Sequence, residues 1–162
     1  VIWHRRLAVG LIAALVVIVL DQAAKLAVLR LFEGEAGRVY EVLPFFNLRL
    51  TFNRGITFGL FNNSDTANAL IFSGLALVIV LVLLAALARS GSWHTGLALG
   101  MIIGGAVGNL TDRLRLDAVV DFLDFHLSSW HFYIFNLGDS GICLGVGVLL
   151  LDSLLVRAES PK

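Results

Sequence analysis

The chain has 162 residues, of which 58% are hydrophobic and 15% charged, and its mean hydropathy is +0.88. A soluble domain carries about 45–50% apolar and about 25% charged residues, so this composition excludes an ordinary soluble globule and points to an integral membrane protein. The formal net charge is zero, which leaves no electrostatic footprint for nucleic acid or for a polybasic lipid-binding surface.

A helix that crosses the hydrocarbon core needs about 20 apolar residues, and four segments qualify. The first, residues 7–32, is too long and followed by too many further apolar runs to be a cleaved signal peptide. Asp21 and Lys25 interrupt it in DQAAK. An aspartate at the centre of a membrane helix costs about 2.5–3.5 kcal/mol on insertion scales, and the i,i+4 spacing lets the two charges neutralise each other. The pair reads either as a structural ion pair near a helix end or as a device that orients a reactive site. Residues 33–66 follow, with VLPFFNLRLTFNRGITFGLF. Aromatic and β-branched residues punctuated by Gly55 and Gly59 predict strands or an interfacial platform, and aromatics at this density suit the headgroup layer.

Residues 67–88 form the second predicted span, and RSGSWHT (89–95) a tight turn. The third span runs from residue 96 to about 114. Its glycines Gly100, Gly104, Gly105 and Gly108 allow close helix approach, and Asn109, Asp112 and Arg113 share part of one face. That face reads as a polar helix end in the interface or as the wall of a site. The loop 117–137 contains AVVDFLDF. Were it helical, Asp117, Asp121 and Asp124 would fall on one stripe beside His126, but no HExxH or other tight metal spacing is present, and no metal or cofactor is expected. Arg115, Asp117 and Asp124 read as solvated loop charges, and His4, His94, His126 and His131 as interfacial side chains.

The fourth span, about 138–156, opens with FNLGDSGI. Asn136 lies three residues before Asp139, on the same face if the helix has begun. GDSG also surrounds the nucleophile of trypsin-like proteases, but Ser140 opens a membrane span and no GxSxG elbow occurs. Cys143, the only cysteine, excludes an internal disulfide and sits in an apolar run that would leave its thiol inert. Four spans put both termini on one side. Arg5, Arg6, Arg89, Arg157 and Lys162 favour that side as cytoplasmic, although Arg30, Arg38, Arg49 and Arg54 lie on the other.

Asp121 and Asp139 thus flank membrane spans on the same face. Two close carboxylates cannot both ionise cheaply, so one retains a proton. The anion can then activate a water while the acid polarises a carbonyl, which is peptide hydrolysis without a metal or a nucleophilic side chain. Intramembrane Asp, Lys, Arg and Asn also build proton relays, so a small proton-coupled transporter or channel is the rival reading. Against it, the charges crowd one face, and no internal repeat of the kind common in transporters is found.

Taken together, DQAAK (21–25), FNRGITFGLF (52–61), GGAVGNLTDR (104–113), VVDF (119–122) and FNLGDS (135–140) resemble the bacterial lipoprotein signal peptidase (signal peptidase II) family, in the family's order. The resemblance implies Asp121 and Asp139 as the catalytic aspartates, with Asp21, Lys25, Asn53, Asn109, Arg113 and Asn136 around them and Asp112 in a structural role. It implies an aspartic endopeptidase that cleaves prolipoproteins just before a diacylglyceryl-modified cysteine, at the outer face of the bacterial cytoplasmic membrane, and that is a target of the cyclic peptide globomycin. The implied fold is an all-α membrane protein of four transmembrane helices, with a small β-rich extracytoplasmic cradle between helices 1 and 2. Residues 1–162 would form one domain with cytoplasmic termini, expected to be a monomer. Gly138, Gly141, Ile56, Thr57 and the absence of a proline before Phe135-Asn136 depart from the family's usual residues, which bears on substrate fit.

Overall fold

The computed structural model describes residues 2–55 and 65–158. The remainder of the FNRGITFGLF motif, with Ile56, Thr57 and Gly59, lies outside the described residues, as do the side chains of His4 and Arg157 and the whole of Lys162. The elements run α1 (Ile2–Leu31), β1 (Val39–Leu43), β2 (Phe46–Asn53), α2 (Asp65–Ala88), α3 (Trp93–Leu116), β3 (Val119–Leu127), β4 (Trp130–His131) and α4 (Leu137–Ala158).

Among the described residues three helices, and not the expected four, are long and apolar enough to cross a membrane, through Arg5–Leu31, Leu70–Ala88 and Leu137–Leu154. Their outward faces are covered with exposed Leu, Ile and Val, among them Leu15, Leu20, Leu75, Val82, Leu150 and Leu154. Such an exterior needs an apolar surrounding, as a membrane-spanning helix finds in hydrocarbon. The helix α3 is the hub, packed against α1, α2 and α4. At 24 residues it extends roughly 36 Å, yet its polar C-terminal third separates it in composition from the other three.

Glycines set the closeness of this packing. A Cβ on Gly100 would run into the backbone of Gly10 in α1, and one on Gly105 into the carbonyl of Gly138 in α4. The hub is therefore sandwiched at backbone contact, where van der Waals packing replaces the hydrophobic drive that lipid cannot supply. A serine cap starts α3: the Ser92 hydroxyl accepts the Thr95 N–H at 3.0 Å, satisfying an otherwise orphaned donor. Asp117, in the left-handed region at φ 56°, ends it with its N–H on the Arg113 carbonyl.

The four-stranded antiparallel sheet has the order β1-β2-β3-β4. The expected cradle between the first two helices supplies only β1 and β2. The other half comes from the 117–137 loop, because the open edge of β2 would otherwise present unpaired backbone groups. β2 pairs with β3 from Phe46↔Phe125 to Asn53↔Val119, with a register shift between Leu48 and Thr51. AVVDFLDF is consequently strand, and the helical stripe of Asp117, Asp121 and Asp124 does not form. β-branched and aromatic residues favour the pleated surface, and the cap at Asp117 has already stopped the helix. Asp124 also corrects the solvated-charge expectation: it is buried and its Oδ1 lies 2.8 Å from Nδ1 of His131. Arg115 and Asp117 are exposed as expected.

The C-terminal end of α1 ties the layers together. Val28 and Phe32 pack with Leu50, Val120 and Phe122 of the sheet in one buried cluster. With 30 residues, α1 is roughly 45 Å long, more than the ~30 Å hydrocarbon thickness, and the excess carries the sheet.

Filling the Gly105 contact should break the hub. Gly105→Val is expected to cost at least about 1–3 kcal/mol, as overpacking does, and to lower the thermal unfolding midpoint in detergent. Gly74→Ala, at a position where a Cβ meets nothing within 4 Å, should not lower it.

Candidate active site

The polar residues of α1, α3, β3 and the start of α4 meet beneath the sheet. Lys25 is the first of them to consider, since it is 2% exposed and Asp21 is 0% exposed. Isolated charges so placed would be very costly. The Lys25 ammonium has three hydrogens and finds three acceptors: Asp21 Oδ2 at 2.7 Å, Asp112 Oδ2 at 2.8 Å and Asn109 Oδ1 at 2.9 Å. The carboxylates are saturated in turn. Asp21 Oδ1 accepts the N–H of Gly138 at 2.8 Å, Asp112 Oδ2 accepts the N–H of Val120 at 3.1 Å, and Gln22 donates to Asp112 Oδ1 at 2.9 Å. One ion cluster thereby pins α1 to the starts of both β3 and α4. A Cβ on Gly108 would strike the Asp21 carboxylate, so the glycine is required for this approach.

Lys25 also decides which way the Asn109 amide faces. With Oδ1 committed to the ammonium, Nδ2 points at Asp139 and donates to its Oδ1 at 2.8 Å. Asn136 is not on the helix face with Asp139, as expected for a helix already begun; it is the residue that caps α4. Its Oδ1 accepts the Asp139 N–H at 2.8 Å, while Asp139 Oδ2 accepts the Asn136 N–H at 3.3 Å. This reciprocal pair is a capping box made by Asn and Asp. It fixes the Asp139 carboxylate over the first turn of its own helix, where the dipole favours an anion.

The two hydrogens of Asn136 Nδ2 go to Asn109 Oδ1 at 3.1 Å and to Asp121 Oδ1 at 2.7 Å. Asn136 therefore bridges Asp121 on the strand to Asp139 on the helix. The other Asp121 oxygen, Oδ2, accepts from Asn53 Nδ2 at 3.0 Å. Asp121 is 2% exposed. Burial, reinforced by the charge of Asp139 and opposed by the Asn53 and Asn136 bonds, pushes its carboxyl up from 3.8 to about 6. An acid with that affinity keeps its proton at a pH where a free aspartate would lose it.

Arg113 stands beside this group. Its guanidinium reaches the Asn109 carbonyl at 3.4 Å, lies over the Phe72 ring at 6.0 Å and acts electrostatically on Asp121 and Asp139. All nine residues singled out from the sequence are thus brought into one network or to its edge. Gln22 and Tyr133 were not singled out. Gln22 stood in plain view inside DQAAK, whereas Tyr133 belongs to no motif and carries no sequence signal.

Apolar helices around a buried, hydrogen-bonded polar centre, roofed by a small sheet, define a helical membrane protein with a polar candidate site. Two solved structures described as bacterial membrane enzymes are similar to this chain with a TM-score of 0.77 each. One is 25% identical and covers 94% of this chain and 92% of its own; the other is 26% identical and covers 90% and 92%. The family model of signal peptidase (SPase) II matches residues 13–155. A lipoprotein signal peptidase of Methylobacterium sp. (strain 4-46) is 40% identical over 96% of this chain and 94% of its own length. One of Burkholderia thailandensis is 42% identical over 87% and 84% respectively. The chain belongs to the signal peptidase II family, a family of peptidases.

Removal of the central cation should be felt throughout. Lys25→Met leaves Asp21 and Asp112 buried without their partner and is expected to cost about 3–5 kcal/mol, read as a lower unfolding midpoint in detergent. Adding Asp112→Asn to that variant should restore part of the loss.

Proposed function

We propose that this protein is an aspartic endopeptidase that removes the signal peptide from diacylglyceryl-modified prolipoproteins, cutting before the lipidated cysteine. The observation that carries the reading is the Asn136 bridge, which holds Asp121 and Asp139 as one unit at the junction of sheet and helices. Membership of the family supplies the class of substrate. Both carboxylates are oriented entirely by amides and backbone N–H groups, so each keeps lone pairs for a water and a substrate carbonyl.

In this reading Asp121 holds the shared proton and Asp139 is the base. Water loses a proton to Asp139 as its oxygen attacks the scissile carbonyl carbon. Asp121 hydrogen-bonds the carbonyl oxygen as electrons move onto it. Collapse of the tetrahedral intermediate then breaks the C–N bond, and the amine leaves with a proton returned from the pair. Burial strengthens each of these interactions relative to water.

The four helices would cross the bacterial cytoplasmic membrane with both termini cytoplasmic and the sheet outside. The extended peptide around the cysteine would lie against the sheet, with its acyl chains remaining in lipid, and a cyclic peptide such as globomycin would compete for the same place. The enzyme would act as a monomer, without metal or cofactor. Proton-coupled transport is less well supported, because Asp21, Lys25 and Asp112 close on one another in an ion cluster whose hydrogen bonds lead to the candidate carboxylates.

Asp121→Asn and Asp139→Asn are each expected to abolish cleavage, by about 10⁴-fold or more, of a diacylglyceryl-modified prolipoprotein followed by gel shift, with unfolding midpoints retained. Full activity in either variant would remove the pair from the mechanism. With Asp121 as the acid, kcat/KM should fall as pH rises through an apparent pKa of about 6. Asn53→Ala deletes a hydrogen bond that favours the ionised carboxylate, so this limb should move to higher pH.

A further inference from the structure

We propose that the hydroxyl of Tyr133 is a substrate-facing hydrogen-bond donor, held by Asn53 beside Asp121 to receive the developing oxyanion of the scissile peptide. This inference rests on the peptidase reading above and adds to it a residue that no motif contains.

The orientation follows from donor and acceptor accounting. Asn53 Oδ1 accepts the N–H of Gly55 at 3.0 Å, which fixes the amide against a flip. Its Nδ2 must therefore face the other way, and it donates one hydrogen to Asp121 Oδ2 at 3.0 Å and the other to the Tyr133 oxygen at 2.6 Å. A phenol oxygen that accepts from an amide keeps its own hydrogen for another acceptor. Among the described residues that hydrogen meets no acceptor.

The backbone makes the position reproducible. Tyr133 lies between β4 and the cap of α4, three residues before Asn136. On one side Phe132 donates its N–H to the Phe125 carbonyl at 2.8 Å, and on the other Phe135 donates to the Leu123 carbonyl at 3.2 Å. Both anchors are on β3, the strand that carries Asp121. The phenol and the carboxylate consequently move as one piece.

Exposure indicates the direction of use. Tyr133 is 64% exposed while Asp121 is 2% exposed, so the phenol is the outward end of a Tyr133–Asn53–Asp121 chain. A peptide approaching Asp121 meets the hydroxyl on the way. Partial burial of the oxygen and the nearby charges of Asp121 and Asp139 hold the phenol above its ordinary 10, so it stays a protonated donor across the working pH range. Tyr133 transfers no proton; it donates a hydrogen bond that strengthens as the carbonyl oxygen gains charge, which is where a preorganised donor is worth most.

The test is Tyr133→Phe in the full-length enzyme, with steady-state cleavage of a diacylglyceryl-modified prolipoprotein and a pH profile, in parallel with Asn53→Ala and the double variant. The expected result is a fall in kcat of about 10²-fold, typical for loss of one such donor, with KM changed less than about threefold, the unfolding midpoint retained and the pH limb unmoved. An unchanged kcat, or a loss confined to KM, would overturn the proposal. So would a shifted pH limb together with no further loss when Tyr133→Phe is added to Asn53→Ala, because the phenol would then act only through Asp121. If the unaltered enzyme cleaves and Tyr133→Phe equals it, only this inference fails. If the unaltered enzyme does not cleave, the peptidase reading fails and takes the inference with it.

Discussion

The buried ammonium of Lys25 is the interaction on which the remainder of the site depends. An ammonium is a point charge with three directed hydrogens, and here each meets a different acceptor, two on α3 and one on its own helix. If one acceptor were missing, the desolvation penalty would go unanswered. Each acceptor in turn hands on an orientation. Asp21 holds the first turn of α4 through the Gly138 N–H, Asp112 holds the first residues of β3 through the Val120 N–H, and Asn109 presents its amide hydrogens to Asp139. A single cation thus fixes the strand and the helix that bear the two candidate carboxylates.

Those carboxylates are joined through Asn136. The charge of Asp139 adds to the high proton affinity that burial gives Asp121. The arrangement also explains why a capping box is used at the start of α4. Capping is a local solution to orphaned N–H groups; it holds Asp139 Oδ2, while Asn109 of α3 holds Oδ1.

The helices and most of the site were legible in the sequence. Long apolar runs show helices directly, although the third, α3, is not among the three helices apolar enough to cross a membrane, and polar residues inside such runs are costly enough to mark a site, as Asp21, Lys25, Asn109 and Asp112 do. Asp121 was identified by its motif although its local structure was open between helix and strand. VVDFLDF is short and apolar, with carboxylates three residues apart, and such runs do not distinguish the two periods. The pairing of β3 with β2 is long-range and leaves no local trace. For the same reason Asp124 was read as a solvated charge: its burial depends on His131 across a hairpin. Asn136 had the right spacing to Asp139 for a cap, but that spacing serves a helix face equally well. Tyr133 could not be found at all, because its role depends on an amide 80 residues away.

The position of the site between layers has a chemical consequence. A peptide bond is hydrolysed most readily where charged groups are poorly solvated but water can still arrive. The helices supply the first condition, since Asp21 and Lys25 are almost completely buried among them. The sheet above supplies the second: its roof ends in the exposed Tyr133, so the water and peptide would come from the aqueous side. The extra length of α1 makes both conditions compatible. By carrying Val28, and Phe32 just beyond its end, into the sheet core while Asp21 and Lys25 stay one to two turns earlier, the same helix joins a buried charge cluster to the sheet.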